Sequence, residues 1–311
     1  MEEIKSNENE KKQFVVYMIF AFAIAWALQI TASMLYLKGN VTIYTQLLSL
    51  LMFAPFLAVL IARVPLKGMG WIPDFKGKKW IYYVVAWLFP ALLALLGAAL
   101  YFAIKPEAFD FSCQMLVLSL TSEQTAAIEA QGITPFWMAI IMMVSAVTYA
   151  PVINMLFALG EEVGWRGYMY VYIKEKFGKV KGRIIGGIIW GIWHWPLMFL
   201  VGYEYGKEYW GWPVVGPIVF CVFTVCAGIL ADWVYEKTHC IWVPSLLHGA
   251  INASVFGMYF LNPEYANDMI LGPGVIGVIS GIPMVITAFV ICMKKLRNNF
   301  IQARASALDN V

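Results

Sequence analysis

Charged side chains are scarce in this sequence. Of its 311 residues, 13% are Asp, Glu, Lys or Arg and 61% are hydrophobic, and the mean hydropathy is +0.71. Soluble domains typically carry about 25% charged residues. A 35.0 kDa chain of this composition cannot hide its apolar surface in one globular core, which excludes a soluble enzyme or binding domain. The solvent of most of the chain is therefore a lipid bilayer.

Several common functional motifs are also missing. The five cysteines show no CxxC spacing, which argues against a disulfide framework, and there are three histidines but no HExxH. Neither GxSxG nor a P-loop occurs, so the sequence gives no sign of an α/β-hydrolase serine or of a nucleotide-binding loop. Basic runs near 67–79 and 174–183 lie beside apolar segments, and phospholipid headgroups account for them. No nucleic-acid partner is expected.

Long apolar runs dominate what is present. A helix needs about 20 mostly apolar residues to cross a bilayer. The runs predict an all-α, polytopic membrane helix bundle of about eight spans, and we expect the fourth helix to continue to about residue 174. The predicted spans are 14–37, 43–63, 80–104, 135–160, 184–201, 213–235, 241–260 and 273–293.

The distribution of Lys and Arg predicts the orientation. Of the 22 Lys and Arg, all except Lys38, Lys105 and Lys207 fall in segments on the same side as the N-terminus. Cytoplasmic loops collect these residues, so both termini are expected in the cytoplasm of a prokaryotic cell. The first apolar run is too long for a signal-peptide core and is interpreted as a retained helix. The predicted organisation is a tail 1–13, one transmembrane domain 14–293 and a tail 294–311.

The longest predicted segment outside the membrane is 105–134. Within it, TSEQTAAIEAQG indicates a short helix that begins at a Ser/Thr cap and stops at Gly132.

Ionisable or strongly polar residues interrupt the apolar runs on three predicted helices. At about 1.5 Å per helical residue, Glu161, His194 and His248 lie roughly 12–19 Å from the cytoplasmic ends of their helices, with Asn252 one turn deeper. Ionisable residues inside a membrane are costly and usually functional. Three separate helices therefore bring rare polar side chains to a similar depth, which predicts a shared site.

Helical spacing suggests how these residues divide their work. Glu162 and Arg166 are i,i+4 and can pair on one helix face. Glu161 is rotated by about 100° from that pair, so it is left to face something else. His248 and Asn252 are also i,i+4 and share one face.

Peptide hydrolysis suits this set of side chains. Glu161, assisted by His194, can take a proton from water, and His248 and Asn252 can donate hydrogen bonds to the oxyanion that forms. A divalent metal such as zinc is the other possibility, since Glu161, His194 and His248 are the residue types of a catalytic zinc site. The sequence does not decide between them, and no other cofactor is indicated.

These motifs resemble those of the CAAX protease and bacteriocin-processing family (CPBP, also called Abi). That family carries EExxxR, an aromatic residue four positions before His, and HxxxN on successive helices. Here the motifs are Glu161–Arg166, Trp190–His194 and His248–Asn252, within about 155–255. Trp190 stands where Phe is commoner, and the corresponding family core is about 135–260.

The resemblance implies an intramembrane endopeptidase whose cavity opens toward the cytoplasm. It implies that Glu161 and His194 activate water, that His248 and Asn252 bind the oxyanion, and that other motif residues support them. Its substrates would be prenylated CAAX proteins or leader-peptide proteins at the membrane. The implied supporting residues are Glu162, Arg166 and Trp190.

Other interpretations stay open at this point. A catalytically silent scaffold or bacteriocin-immunity protein of the same family would keep the motifs without cleaving peptides. A proton-coupled transporter would use Glu and His as a relay, although the sequence shows no inverted repeat. Structurally, Glu162–Arg166 can be an ordinary ion pair, and His248–Asn252 an interhelical hydrogen-bond pair.

Overall fold

The computed structural model describes the backbone of residues 2–308 and the side chains of 8–294, 296 and 297. The outermost residues of both predicted tails, Met1 and 309–311, lie outside it. The described part is built from fourteen α-helices with no β-strand, and Phe109 and Leu261 form an isolated bridge. The helices are α1 Glu2–Leu37, α2 Val41–Leu51, α3 Ala54–Ile61, α4 Trp80–Ile104, α5 Gln114–Ser119, α6 Ser122–Ala130, α7 Pro135–Val147, α8 Ala150–Gly164, α9 Tyr170–Phe177, α10 Lys179–Trp193, α11 Trp195–Val201, α12 Val215–Thr238, α13 Trp242–Ala253 and α14 Ile282–Leu308.

The helices have the length and composition of a membrane protein. Among the described residues four segments are long and apolar enough to cross a bilayer, and the number rises to at most six if each of two bent helix pairs counts as one span. The predicted all-α membrane architecture is confirmed, whereas the predicted count of about eight spans is not. The four segments are Glu8–Leu37, Trp80–Ile104, Lys179–Val201 and Val215–Thr238.

Proline explains why several predicted spans are not single straight helices. Pro55, Pro151 and Pro196 each occupy the first turn of a new helix directly after a break. Proline has no N–H to continue the preceding ladder but fits the first turn of a helix. The helix predicted over 135–160 is therefore two helices, and the span predicted over 184–201 is divided at His194.

Two other predicted spans are shorter than their apolar runs. In the run 241–260 the α-helix ends at Ala253, and a 3₁₀ turn follows. In the run 273–293 the helix begins only at Ile282, after apolar turns rich in glycine. Hydropathy cannot separate an apolar turn packed inside the protein from an apolar helix, so both boundaries were wrong.

The predicted continuation of the fourth span is confirmed with one irregularity. After Gly164 the chain makes a single π turn over Trp165–Met169 and then runs on as α9 to Phe177. Such turns are rare and frequently occur at functional sites. This π turn contains the arginine of the EExxxR motif.

The short helix predicted within 105–134 is also present. Helix α6 begins after Thr121 with a capping box. The Thr121 hydroxyl accepts a hydrogen bond from the Gln124 N–H, and the Gln124 side-chain oxygen accepts one from the Thr121 N–H. The chain turns away at Gly132, which has φ +69°, a conformation that glycine adopts at little cost.

Close backbone packing fixes the helices that carry the polar residues. Helix α13 packs on α8 and α4, and α10 packs on α12. A Cβ at Gly249 would lie 2.5 Å from the Met155 nitrogen of α8, and one at Gly187 would lie 2.3 Å from the Val225 Cα of α12. Small residues at such contacts let helices approach closely inside a membrane.

One end of the bundle is tied together by charges. Lys174 and Arg183 each bind Asp232, and both also approach Glu236. We call these four residues the end cluster. Phe14, near the N-terminus of α1, stacks at 4.0 Å on Tyr172 of α9, so the N-terminal part of α1 lies at this same end.

Candidate active site

The four side chains predicted to carry the chemistry line one cavity of about 200 Å³. Glu161 comes from α8 and His194 from the junction of α10 and α11. His248 and Asn252 come from α13. Glu161 and His248 are 3% and 6% exposed, and Asn252 is exposed to the cavity. Since one liquid water occupies about 30 Å³, a hydrolytic water fits beside a peptide group.

Two tryptophans hold the carboxylate of Glu161. Its Oε2 accepts hydrogen bonds from the indole N–H groups of Trp165, at 2.9 Å, and Trp190, at 2.8 Å. The other oxygen, Oε1, has no hydrogen-bond partner among the described residues. Glu161 is therefore fixed in position through one oxygen and keeps the second for a ligand.

Glu162 links the arginine of its own helix to the histidine of α13. Its Oε1 accepts hydrogen bonds from Arg166 Nη1 at 2.8 Å and from His248 Nδ1 at 2.9 Å. The predicted i,i+4 pair is present, and it carries a cross-helix contact that the sequence did not predict. The Arg166 guanidinium also lies 4.7 Å from the ring centroids of both Tyr170 and Trp190, where the ring faces stabilise its charge.

The hydrogen bonds of the two histidines determine what their free nitrogens can do. His194 Nδ1 lies 3.0 Å from the Trp190 carbonyl oxygen. A carbonyl only accepts, so this Nδ1 carries the proton and the neutral ring has its lone pair on Nε2. His248 Nδ1 donates to Glu162 in the same way, so its Nε2 donates only when the ring is an imidazolium. That positive charge would lie beside the Glu162 carboxylate.

Helix α1 braces the break in which His194 lies. The interruption leaves the Trp193 carbonyl without its usual helical partner, and the Gln29 side-chain N–H donates to it at 2.7 Å. Gln29 Oε1 in turn accepts from the Leu197 N–H at 3.4 Å, and the Trp26 indole also donates to the Trp193 carbonyl. A break in a membrane helix is tolerated where such groups satisfy the backbone.

A second cavity of about 410 Å³ adjoins the first and shares His194, His248 and Asn252 with it. Tyr203 also lines both, and its ring lies parallel to the His194 ring at 6.3 Å. Glu204 follows on the rim of the larger cavity. Its side chain is exposed to the cavity, and the surrounding protein keeps it away from bulk water. This burial raises the pKa of the Glu204 carboxyl above its usual value, while a hydrogen bond with the Tyr203 side chain opposes the rise.

The possible metal ligands do not form a ready metal site. Glu161, His194 and His248 line the same cavity, but among the described residues no group of three or more His, Cys, Asp or Glu is arranged to hold a metal ion. The Glu161 oxygen Oε2 already accepts two indole hydrogen bonds. The arrangement does not fit a three-ligand metal centre, so we derive no chemical step through a metal.

The larger cavity and the end cluster lie at opposite ends of the bundle. Tyr203 and Glu204 follow the end of α11, and other lining residues follow α13, whereas the end cluster joins the beginning of α10 to the end of α12. Two predictions from the sequence thus compete. The positive-inside rule places the rim away from the cytoplasm, and the family resemblance places the opening toward it. The side of the membrane to which the larger cavity opens therefore stays a prediction.

Sequence reasoning missed several contributors to the site. Trp165 was overlooked although it is i,i+4 from Glu161, the spacing of a helical pair. Trp190 was assigned only an aromatic role, but it supplies an N–H that phenylalanine lacks. Gln29 lies far from the motifs in sequence. Glu204 lies in the loop that follows α11, beyond the helical spacing of the Trp190–His194 motif, so no local signal marked either residue.

Comparison with known proteins agrees with the motifs. Residues 135–254 match the family model of type II CAAX prenyl endopeptidase Rce1-like proteins. A curated relative, CAAX prenyl protease 2 of Methanococcus maripaludis, is 31% identical over 107 residues, which are 33% of this chain and 39% of the relative. The matched region contains all four cavity residues named above. Through residues 135–254, the chain is therefore similar to the CAAX protease (CPBP) family, and it spans 39% of the length of this curated relative.

Proposed function

We propose that this chain is an intramembrane endopeptidase that hydrolyses a peptide bond in a membrane-associated substrate. The observation that carries the proposal is the convergence of Glu161, His194, His248 and Asn252 on one cavity of about 200 Å³. The relative named CAAX prenyl protease 2 supports the same class of activity.

Glu161 and His194 would prepare the nucleophile. A water held between Glu161 Oε1 and His194 Nε2 donates hydrogen bonds to both, and its oxygen attacks the carbonyl carbon of the substrate. The proton released in the attack passes to Glu161. When the C–N bond breaks, Glu161 returns that proton to the leaving nitrogen. The other proton of the water stays on the new hydroxyl, so the products are a carboxylic acid and an amine.

His248 and Asn252 would stabilise the tetrahedral intermediate. The side-chain N–H of Asn252 and the protonated Nε2 of His248 donate to the developing oxyanion. Donors placed before the reaction are worth about 10²–10³ in rate each. Glu162 accepts from His248 Nδ1, so it fixes the ring and balances the imidazolium charge. Arg166 shares the same carboxylate oxygen and compensates the charge of Glu162.

The test uses the purified chain in detergent with two substrates, a prenylated CAAX-type peptide and a leader-type peptide. We expect cleavage of at least one, with new termini identified by mass spectrometry. Glu161→Ala should abolish it, and Asn252→Ala should reduce kcat about 100-fold or more. Parallel reactions with a chelator measure any dependence on a metal.

Two outcomes would overturn this assignment. Cleavage that persists at the wild-type rate in Glu161→Ala removes Glu161 from the chemistry. A folded wild-type protein that cleaves neither peptide, while Glu161→Ala keeps the cellular phenotype, favours the non-catalytic scaffold instead.

A further inference from the structure

The larger cavity has one acidic wall residue. Among the described residues that line it, Glu204 is the only Asp, Glu, Lys or Arg. The hydroxyls of Thr224 and Ser254 already donate to backbone carbonyls, so they have no proton left for a ligand. Most of the remaining wall is apolar: Phe220, Phe223, Ile251, Val255, Met258, Met269, Val275 and Ile276.

The charge of Glu204 is not neutralised by a nearby cation. The described residues contain no ion pair that includes Glu204. Lys207, three positions along the same loop, does not line the cavity, and its ammonium lies 5.9 Å from the Trp212 ring. No cation of the described residues competes for the Glu204 carboxyl, which interacts with the Tyr203 side chain. A cation that enters the cavity would favour the charged form of Glu204.

The backbone presents Glu204 in an unusual way. Its φ is +72°, a region that residues with a Cβ rarely adopt. The turn around it is closed by a hydrogen bond of 2.7 Å from the Gly206 N–H to the Gly202 carbonyl. Glycine or asparagine would adopt this backbone conformation with less strain. The conformation therefore does not explain why the residue is a glutamate. Such strain often accompanies a functional position.

Glu204 also lies close to the reacting groups. Its chain neighbour Tyr203 stacks on His194 at 6.3 Å and lines both cavities. Since an extended peptide advances about 3.3 Å per residue, a substrate bound at His194 reaches Glu204 within roughly four residues of the cleaved bond.

We infer that the larger cavity binds an apolar peptide segment that carries a cationic side chain, Lys or Arg, within about four residues of the cleaved bond. Glu204 is the residue that selects it. A substrate whose free C-terminal carboxylate occupies the same place would meet Glu204 and find no Lys or Arg among the described lining residues. The inference rests on the proposed endopeptidase function and specifies its substrate class.

The experiment measures binding apart from cleavage. Fluorescent apolar peptides are compared in matched pairs, with Lys or norleucine at each position near the cleavage site, and with a C-terminal carboxylate or amide. Binding is measured on Glu161→Gln protein, in which the second acidic residue of the joined cavity is neutral. We expect the Lys peptide to bind about fivefold tighter than the norleucine peptide at low salt, as for a partly exposed ion pair. The amide should bind tighter than the carboxylate.

The matched variants are Glu204→Gln and Glu208→Gln, each added to Glu161→Gln. Glu208 lies on the same loop but does not line the cavity. Glu204→Gln should bring the Lys-to-norleucine ratio to about one, and Glu208→Gln should leave it unchanged. An unchanged ratio in Glu204→Gln, no peptide binding, or tighter binding of the carboxylate form would each overturn the inference.

Failure of the proposed function would look different. If the wild-type protein cleaves none of the peptides but the binding preference is present and depends on Glu204, the cavity inference stands and the endopeptidase assignment fails. If the protein cleaves a peptide but shows no binding preference that depends on Glu204, the endopeptidase assignment stands and the cavity inference fails.

Discussion

Two groups of buried charges in this bundle differ in how completely they are paired. In the end cluster, each oxygen of Asp232 has its own cation, Lys174 on Oδ1 and Arg183 on Oδ2. In the second group, which we call the cavity cluster (Glu161, Glu162, Arg166 and His248), Glu162 Oε1 serves both Arg166 and His248 while Glu162 Oε2 is unpaired. Asp232 and Glu162 are both fully buried, so burial alone does not distinguish the two groups.

Access to a cavity is what separates them. Glu161 and His248 line a cavity, and each keeps one atom, an oxygen and a nitrogen, without a hydrogen-bond partner among the described residues. No residue of the end cluster lines either cavity described above. A carboxylate whose two oxygens each bind a cation holds helices together, whereas polar atoms that keep no partner beside a cavity can bind a ligand. The following predictions test whether the two clusters divide in this way.

The largest expected effect on stability is in the end cluster. Asp232→Asn removes the fully buried charge that binds Lys174 and Arg183 and leaves only the half-buried Glu236 to compensate the two cations. Breaking a buried pair on one side typically costs about 3–5 kcal/mol. Thermal unfolding in detergent should show this loss, while cleavage per folded molecule stays at the wild-type level.

Asp74→Asn is the control for that experiment. Asp74 pairs with Lys79 in a solvent-accessible loop, where the hydrogen bond from Lys79 holds the pKa of the Asp74 carboxyl below its usual value. Removing this exposed pair should leave the unfolding temperature unchanged. Equal effects of the two substitutions would contradict the structural role assigned to the end cluster.

The next effect is on catalysis in the cavity cluster. Trp190→Phe keeps an aromatic ring but removes the N–H that binds Glu161. A hydrogen bond to a charged group contributes about 1.5–3 kcal/mol, so kcat should fall roughly 10- to 100-fold with a smaller change in KM. Trp242→Phe, which removes an indole hydrogen bond to the Trp71 carbonyl, should leave kcat near its original value. If the two variants lose the same activity, Trp190 is not a positioning residue.

A smaller effect is expected at the brace on α1. Gln29→Leu removes both the N–H donated to the Trp193 carbonyl and the oxygen that accepts from Leu197. His194 should then be less well positioned. Since each of the two neutral hydrogen bonds contributes about 1 kcal/mol, kcat should fall by about 5- to 30-fold. Gln13→Leu is the control, because Gln13 makes one exposed hydrogen bond to the Arg63 carbonyl. A fall in unfolding temperature without a change in kcat would mean that Gln29 is only structural.

The last prediction concerns the sides of the membrane on which Glu204 and Lys181 lie, and no change in rate or stability is expected. Cysteine substitutions at Glu204, on the cavity rim, and at Lys181, beside the end cluster, should react with a membrane-impermeant maleimide from opposite sides of the membrane. The five native cysteines are buried or half-buried, and unlabelled wild-type protein verifies this background. Labelling of both positions from one side would refute the arrangement of the two clusters at opposite ends. The side on which Glu204 reacts decides between the two predicted orientations.

The sequence by itself determined the features that depend on local spacing and composition. Its apolar runs require helices in a bilayer, since only there can each segment satisfy its own backbone groups. The i,i+4 spacing placed Glu162 beside Arg166, and the Thr121–Gln124 spacing produced the capping box of α6. The three motifs were enough to predict the similarity of residues 135–254 to CAAX prenyl endopeptidases.

Only the tertiary structure decided how these local pieces meet. Hydrogen bonds join Trp190 to Glu161, His248 to Glu162 and Gln29 to Trp193, across 29, 86 and 164 positions of the chain. No sequence period fixes such contacts, because they depend on where proline breaks a helix and where glycine lets two backbones approach. The unused oxygen of Glu161 and the acidic rim at Glu204 come from that packing, so the composition of the motifs could not predict them.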